Sequence, residues 1–262
     1  MGAEIELAGL NKVYPHPDGR QVIHALHEVA LVQESGQFVA IMGPSGCGKS
    51  TLLNIVAGFE RADSGTCLVR GHPVTGTGPE RGVVFQEYAL FPWMTVERNL
   101  SFALRAAGKW DSTGRRRMDA ILERMGLSQF RHVFPKNLSG GMRQRLAIGR
   151  LLAIDSPIML MDEPFGALDA LTRSTLQSEL VALWLETRKT MLFITHSVDE
   201  AVFLAERVLV MTPRPGRIVL DHRIDLPHPR DVTDPRFNAY KREILDVINQ
   251  TIPAPQLAVA AQ

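Results

Sequence analysis

The chain has 262 residues, of which 45% are hydrophobic and 22% charged, a balance suited to an ordinary globular protein long enough to build its own core. A formal net charge of +1 argues against a nucleic-acid binder, and the basic run Arg115-Arg116-Arg117 reads as a solvated helix face. The cysteines, Cys47 and Cys67, make neither a disulfide framework nor a CxxC pair. Neither a secretory leader nor an apolar run near the ~20 residues that span a bilayer is evident, so the expectation is a soluble, cytoplasmic chain.

Along the chain, Ile5-Glu6-Leu7 and residues 29–32 are short, partly alternating segments around a Gly/Pro-containing turn at 15–19. They are expected as antiparallel strands at a sheet edge. Apolar runs at 38–42, 83–85, 158–161, 191–195 and 208–211 read as buried parallel strands, with helical stretches between some of them. From Tyr88 to Ile154 the strand signals stop. Met118, Ile121, Leu122 and Met125 fall at i, i+3, i+4 and i+7, so this stretch is expected as a helical insertion. Beyond Pro213 the chain is rich in Pro, Arg and Asp, with one helix expected at 234–249 and a frayed Pro/Ala-rich tail at 252–262. The expected organisation is one domain over 1–262, with a core of 1–87 and 155–213, the insertion at 88–154 and a C-terminal extension at 214–262.

The run Gly43-Pro44-Ser45-Gly46-Cys47-Gly48-Lys49-Ser50-Thr51 satisfies G-x-x-x-x-G-K-[ST] between an apolar strand and a helical stretch. Its glycines let successive amides point at phosphate oxygens, and the following helix offers unpaired N–H groups to the same charge. Lys49 supplies a cation for the β- and γ-phosphates, and the Ser50 hydroxyl is a hard ligand for Mg²⁺. By itself this loop means only a nucleotide. The 158–161 strand ends in Asp162-Glu163, at the crevice end of a parallel sheet. Asp162 is placed to hold the Mg²⁺ shell and Glu163 to orient and deprotonate an attacking water. Leu138-Ser139-Gly140-Gly141 precedes a helical stretch at 142–152, and either simple capping or a second anion site fits it. Gln86 and His196 stand just past strands without a role that their type alone assigns. Cys47, beside Lys49 and a helix start, is expected to have an acidic thiol that ATP would protect.

In their order, the phosphate loop, Gln86, Leu-Ser-Gly-Gly, Asp162-Glu163, Ala167-Leu168-Asp169 and His196 resemble the nucleotide-binding subunit of ATP-binding cassette transporters over roughly residues 5–213. The resemblance implies an α/β fold: a P-loop NTPase (RecA-like) core with an N-terminal antiparallel β edge and an inserted helical subdomain. It also implies roles for single residues. Tyr14 would stack on adenine, and Gln86 would sense Mg²⁺ and the water. Ser139 and Gly141, with Gly140, would grip the γ-phosphate bound by the opposite subunit. Asp169 would connect the two sites, and His196 would hold the γ-phosphate beside Glu163. A single set of motifs then implies a two-fold homodimer closed by ATP.

More narrowly, residues 79–86, 90–93, 162–170 and 213–218 are similar to the nitrate/sulfonate/taurine importer ATPases. That similarity implies two membrane permease subunits, a solute-binding protein acting indirectly, and a peripheral place at the cytoplasmic face of the inner membrane. Residues 88–94 would then lie near the permease. Met142 departs from the glutamine usual in the family, and Gly149-Arg150-Leu151-Leu152 is bulkier than expected. The competing readings are a cassette ATPase not coupled to transport, which in translation or repair would carry a second cassette or long insertions, and a P-loop kinase, which leaves 138–141 and His196 unexplained.

Overall fold

The computed structural model describes residues 2–16, 18 and 21–251. The tail at 252–262 and part of the turn at 15–19 lie outside the described residues. The chain forms two compact units, residues 1–78 with 181–262, and residues 79–180.

In the first unit, β1 (Ala3–Pro15) pairs antiparallel with β2 (Val22–Glu34) and with β4 (Ser64–Val69), and β5 (His72–Pro73) closes the far side. The antiparallel pairing is as expected, but these strands form a four-stranded sheet of their own and not an edge of the parallel sheet, and they are much longer than their apolar centres. Register shifts between Leu7 and Val13 break the alternation and hide the strand from a period-two reading. The parallel core has β3 (Phe38–Met42) between β8 (Thr190–Ile194) and β9 (Arg207–Met211), in the register Phe38 opposite Met191 and Ala40 opposite Val208. All five residues of β3 and of β8 are buried, which is why each reads as an unbroken apolar run. Strand β10 (Ile218–Arg223) adds antiparallel to β9. Helices α1 (Lys49–Ala57), α6 (Val198–Leu204) and α7 (Pro235–Thr251) belong to this unit.

The C-terminal extension is fastened to α6. The guanidinium of Arg230 is buried and donates to the carbonyls of Leu226, Val202, Ala205 and Ile224 at 2.5 to 3.3 Å, satisfying the open end of α6. That burial lowers the Arg230 pKa to about 10. At the other end of α6, Asp199 pairs with Lys241 of α7.

In the second unit, β6 (Arg81–Val84) and β7 (Ile158–Asp162) are parallel, with Val84 opposite Met161. Helices α2 (Val96–Ala106), α3 (Ser112–Arg124) and α4 (Gly140–Ile154) occupy the stretch expected to be helical. Val96, Leu100, Met118, Leu122 and Leu146 from these helices form a shared core. Each helix starts on a side-chain cap: Thr95 accepts from Arg98 N, Asp111 from Gly114 N, and Ser139 from Met142 N. Fully buried Asn99 accepts from Phe91 N and donates to the carbonyls of Phe91, Met94 and Thr95, fixing the loop before α2. Helix α5 (Ala170–Thr187) follows β7, and its residues from Val181 onward belong to the first unit. Among the described residues, no helix is long and apolar enough to cross a membrane.

Candidate functional site

The first unit carries the phosphate loop where the sequence puts it, between the carboxyl end of β3 and α1. Gly46 and Gly48 have φ of 74° and 103°, a backbone that only glycine adopts cheaply. At Gly48 a Cβ would lie 2.7 Å from Ala25 O and 2.8 Å from Leu26 Cδ2, so no side chain fits. Lys49 is buried, and its ammonium donates to Gly43 O at 2.8 Å and Pro44 O at 3.0 Å. The loop thus folds around a cation held by its own carbonyls. Ser45 and Ser50 are exposed, so both hydroxyls are open to a ligand.

Cys47 corrects the expectation of an acidic thiol. It is only 1% exposed, and burial raises its pKa, outweighing the opposing pull of Lys49 and Arg214. The Lys49 ammonium donates to the sulfur at 4.0 Å and backbone N–H groups favour the thiolate too, but the loss of water around a sulfur packed inside the loop outweighs them.

Tyr14 on β1 is brought to the same place. Its hydroxyl donates to Glu60 at 2.5 Å and lies 3.4 Å from Thr51 Oγ1, while the Lys12 ammonium stands 5.2 Å from the ring centroid. Burial and the Glu60 carboxylate raise its pKa, so the phenol stays protonated. His196 is exposed just past β8, the strand beside β3, where Thr195 N donates to Ile41 O at 3.2 Å. Its neighbours are fixed by α6: Thr195 Oγ1 donates to buried Glu200 at 2.5 Å, and Ser197 caps the helix by accepting from Glu200 N.

In the second unit the carboxyl ends of β6 and β7 carry Gln86 and Asp162-Glu163. Glu163 has φ of 43°, a left-handed backbone in a residue that also precedes a proline. Both features disfavour it, and such strain is found where the surroundings force a side chain to point one way. Gly166 N donates to Glu163 O at 3.2 Å, and buried Phe165 anchors the turn. Asp169 caps α5 by accepting from Thr172 N at 3.0 Å, and its hydrogen bonds to Thr172 lower its pKa.

Gln86 is exposed at the head of a turn in which Tyr88 and Ala89 are both left-handed. Helix α4 grips that turn: Arg150 donates to Ala89 O at 2.6 Å and lies 4.9 Å from the Phe91 ring, and Arg143 lies 5.6 Å from the Tyr88 ring. From the sequence Arg150 stands out only as part of the bulky stretch 149–152 and Arg143 not at all, because a basic residue within a helix gives no sign of what it meets.

The Ser139 hydroxyl oxygen accepts from Met142 N at 3.2 Å and the residue is exposed, so it caps α4 while its own proton is still free to be donated. The helix begins at Gly140, two residues earlier than expected, which puts the Gly140 and Gly141 amides in its open first turn.

Among the described residues no cluster of three or more His, Cys, Asp or Glu side chains could hold a metal. In the first unit the exposed Ser50 hydroxyl, and in the second the Asp162 carboxylate at the end of β7, are each oxygen donors of the kind a hard cation takes.

Residues 26–166 match the family described as ABC transporter. This chain belongs to the ABC transporter family. It is 45% identical over 251 residues to a taurine import ATP-binding protein of Roseobacter denitrificans, covering 93% of each chain. It is also 45% identical over 246 residues to a nitrate import ATP-binding protein of Synechococcus elongatus, covering 91% of this chain and 89% of the relative. Among solved structures it resembles a dimeric ATP-binding cassette in a post-hydrolysis state bound to ADP and Pi, with a TM-score of 0.72, 30% identity, and coverage of 85% of this chain and all of that one. The α/β P-loop fold and the importer-subfamily resemblance read from the sequence both agree with these matches.

Proposed function

We propose that the chain is the ATP-binding and ATP-hydrolysing subunit of an importer, energising uptake of a small anion of the nitrate, sulfonate or taurine class. The observation that carries this reading is the loop around Lys49, a buried cation held by the backbone carbonyls of Gly43 and Pro44 at the end of β3. The names of the taurine and nitrate relatives support the direction of transport and the anion class.

In this reading the backbone N–H groups of Ser45, Gly46, Cys47, Gly48, Lys49, Ser50 and Thr51 wrap the phosphates, Gly43 and Pro44 shape the start of the loop, and Lys49 exchanges its carbonyl partners for β- and γ-phosphate oxygens. Tyr14 stacks on adenine, its ring steadied by Glu60 and Thr51. Ser50 and Asp162, with Gln86, would hold a Mg²⁺ ion, which when bound would supply charge neutralisation for the phosphate oxygens. Glu163 takes a proton from the attacking water, and His196 holds the γ-phosphate. Ser139, Gly140 and Gly141 of a second copy complete the site through hydroxyl and amide donors. Asp169 links the two sites of that homodimer.

The membrane permease docks on the aromatic group ahead of α2, where Trp93 is 68% exposed and Phe91 stacks on Phe102 at 4.6 Å. The subunit is then peripheral at the cytoplasmic face, and a solute-binding protein acts through the permease.

The test is Glu163→Gln. ATP binding should persist while turnover falls at least ~100-fold, and an ATP-bound dimer should accumulate in size-exclusion chromatography. Hydrolysis close to the normal rate would falsify the assignment of Glu163 as the base.

A further inference from the structure

The C-terminal extension returns to the phosphate loop through a turn at residues 212–217. Thr212 Oγ1 donates to Pro215 O at 2.8 Å and accepts from Arg217 N at 3.0 Å, closing the turn on itself. Gly216 then ties it to β2: its N–H donates to Ala25 O at 2.9 Å, and its carbonyl accepts from His27 N at 3.0 Å. Gly216 is buried, and a Cβ on it would fall 2.1 Å from Cys47 O, so the turn lies in direct contact with the backbone of the phosphate loop.

This rigid mount carries Arg214 to the tip of the loop. Arg214 Nε donates to Gly46 O at 3.0 Å, and its Nη2 stands 2.8 Å from where a Gly46 side chain would begin. The adjoining Cys47 N–H donates to Pro44 O at 3.3 Å, so both ends of the 46–47 peptide unit are held. The side chain is exposed, and its charge is one of those that oppose burial in setting the Cys47 thiol. A cation in that position does two things: it fixes the peptide plane at the loop tip, and it adds positive potential where phosphate oxygens would collect.

We propose that Arg214 is a second cation of the phosphate site, supplied from outside the loop motif, which holds the loop tip through Gly46 O and raises affinity for the nucleotide's phosphates. This rests on the reading of residues 43–51 as the ATP site, and Lys49→Ala serves as the control that separates the two.

The experiment measures ATP and ADP dissociation constants for the full chain, by calorimetry, at about 50 and about 300 mM salt. Arg214→Ala should weaken both nucleotides about tenfold at low salt and by less at high salt, because part of the effect is the field of an exposed charge. Arg214→Lys, which keeps the charge but not the Nε geometry, should stay within about threefold of the wild type. In turnover, Arg214→Ala should raise KM about tenfold while kcat falls less than about threefold. Affinity within about twofold of wild type for Arg214→Ala, beside a large loss for Lys49→Ala, overturns this proposal alone. An equal loss at both salt concentrations also overturns it, since a purely mechanical support has no salt dependence. If Lys49→Ala binds nucleotide normally, the phosphate-loop reading fails and this proposal fails with it. Arg214 is exposed, so its variants should fold, and unchanged melting temperatures would confirm it.

Discussion

The half-buried His228 of the C-terminal extension makes stability depend on pH in a direction that the structure fixes. The His228 ring packs edge-on against Trp184 of α5, with centroids 5.2 Å apart, and its Nε2 is buried without a hydrogen-bond partner among the described residues. Burial, then the neighbouring Arg230 and Arg188 charges, lower its pKa from 6.5 to about 4, against a smaller opposing pull from the backbone of Leu204 and Phe203. The folded state therefore refuses a proton that the unfolded chain accepts between about pH 6.5 and 4. Protons bound in the unfolded state exceed those in the native state across that window, so stability rises with pH there and is lost as pH falls. The full interval corresponds to about 3 kcal/mol. The ring is only partly buried, and solvent screening reduces the effect to roughly 1–2 kcal/mol. Urea unfolding at about pH 7.5 and about pH 4.5, followed by tryptophan fluorescence, would compare the wild type with His228→Leu. Other titrations cancel in the difference, so the wild type should lose roughly 1–2 kcal/mol more than the variant on acidification. Parallel pH profiles for the two proteins, or a wild type that gains on the variant in acid, would refute the reasoning.

The phosphate loop yields two further expectations. Gly48→Ala puts a methyl 2.7 Å from Ala25 O on a backbone with φ of 103°, so the loop must move. ATP affinity should fall more than about tenfold while the melting temperature drops by only a few degrees, and tight binding of a fluorescent ATP analogue by the variant would contradict that. Cys47, buried with a raised thiol, should react slowly with a maleimide at about pH 7.5, after the partly exposed Cys67. Mass spectrometry of the labelled peptides checks the order, and rapid stoichiometric labelling at Cys47 would reverse the reading.

How much of this was legible in the sequence depended on burial. Strands β3, β7, β8 and β9 were readable because both faces are covered, which turns each into a solid apolar run. Strand β10 alternates between half-buried and exposed positions and ends in Asp221-His222-Arg223, so its sequence looks like a charged loop. The polar start of β4, Ser64-Gly65-Thr66, is exposed and gave no strand signal either. The site followed the same division. Motif residues such as Lys49 and Glu163 are set by a local pattern that the chain spells out. The Arg214 bond to Gly46 O joins positions 168 residues apart, and the Arg150 bond to Ala89 O joins positions 61 apart. No local pattern encodes either. Cys47 failed for a related reason: the charges near it are visible in sequence, but the desolvation that outweighs them is not.

Backbone energetics give a second route to the same residues, independent of the motifs. Of the non-glycine residues with left-handed backbones, Asp155 and Arg188 follow the ends of α4 and α5, where that conformation is routine, Arg70 lies in the turn between β4 and β5, and Glu28 sits at the register shift of β2 between Leu26 and Val29. Tyr88, Ala89 and Glu163 have no such excuse; they follow the carboxyl ends of β6 and β7. Each costs on the order of 1–3 kcal/mol, and Glu163 also carries the backbone restriction that a following proline imposes. Such a cost persists only where neighbours over-determine the geometry: Arg150 on Ala89 O, buried Phe165 and the Gly166 bond behind Glu163. A stabler chain would place glycine at 163. Keeping a carboxylate there in spite of the strain is intelligible if the carboxylate is used, and the turn holding Gln86 is strained on the neighbouring strand for a reason of the same kind.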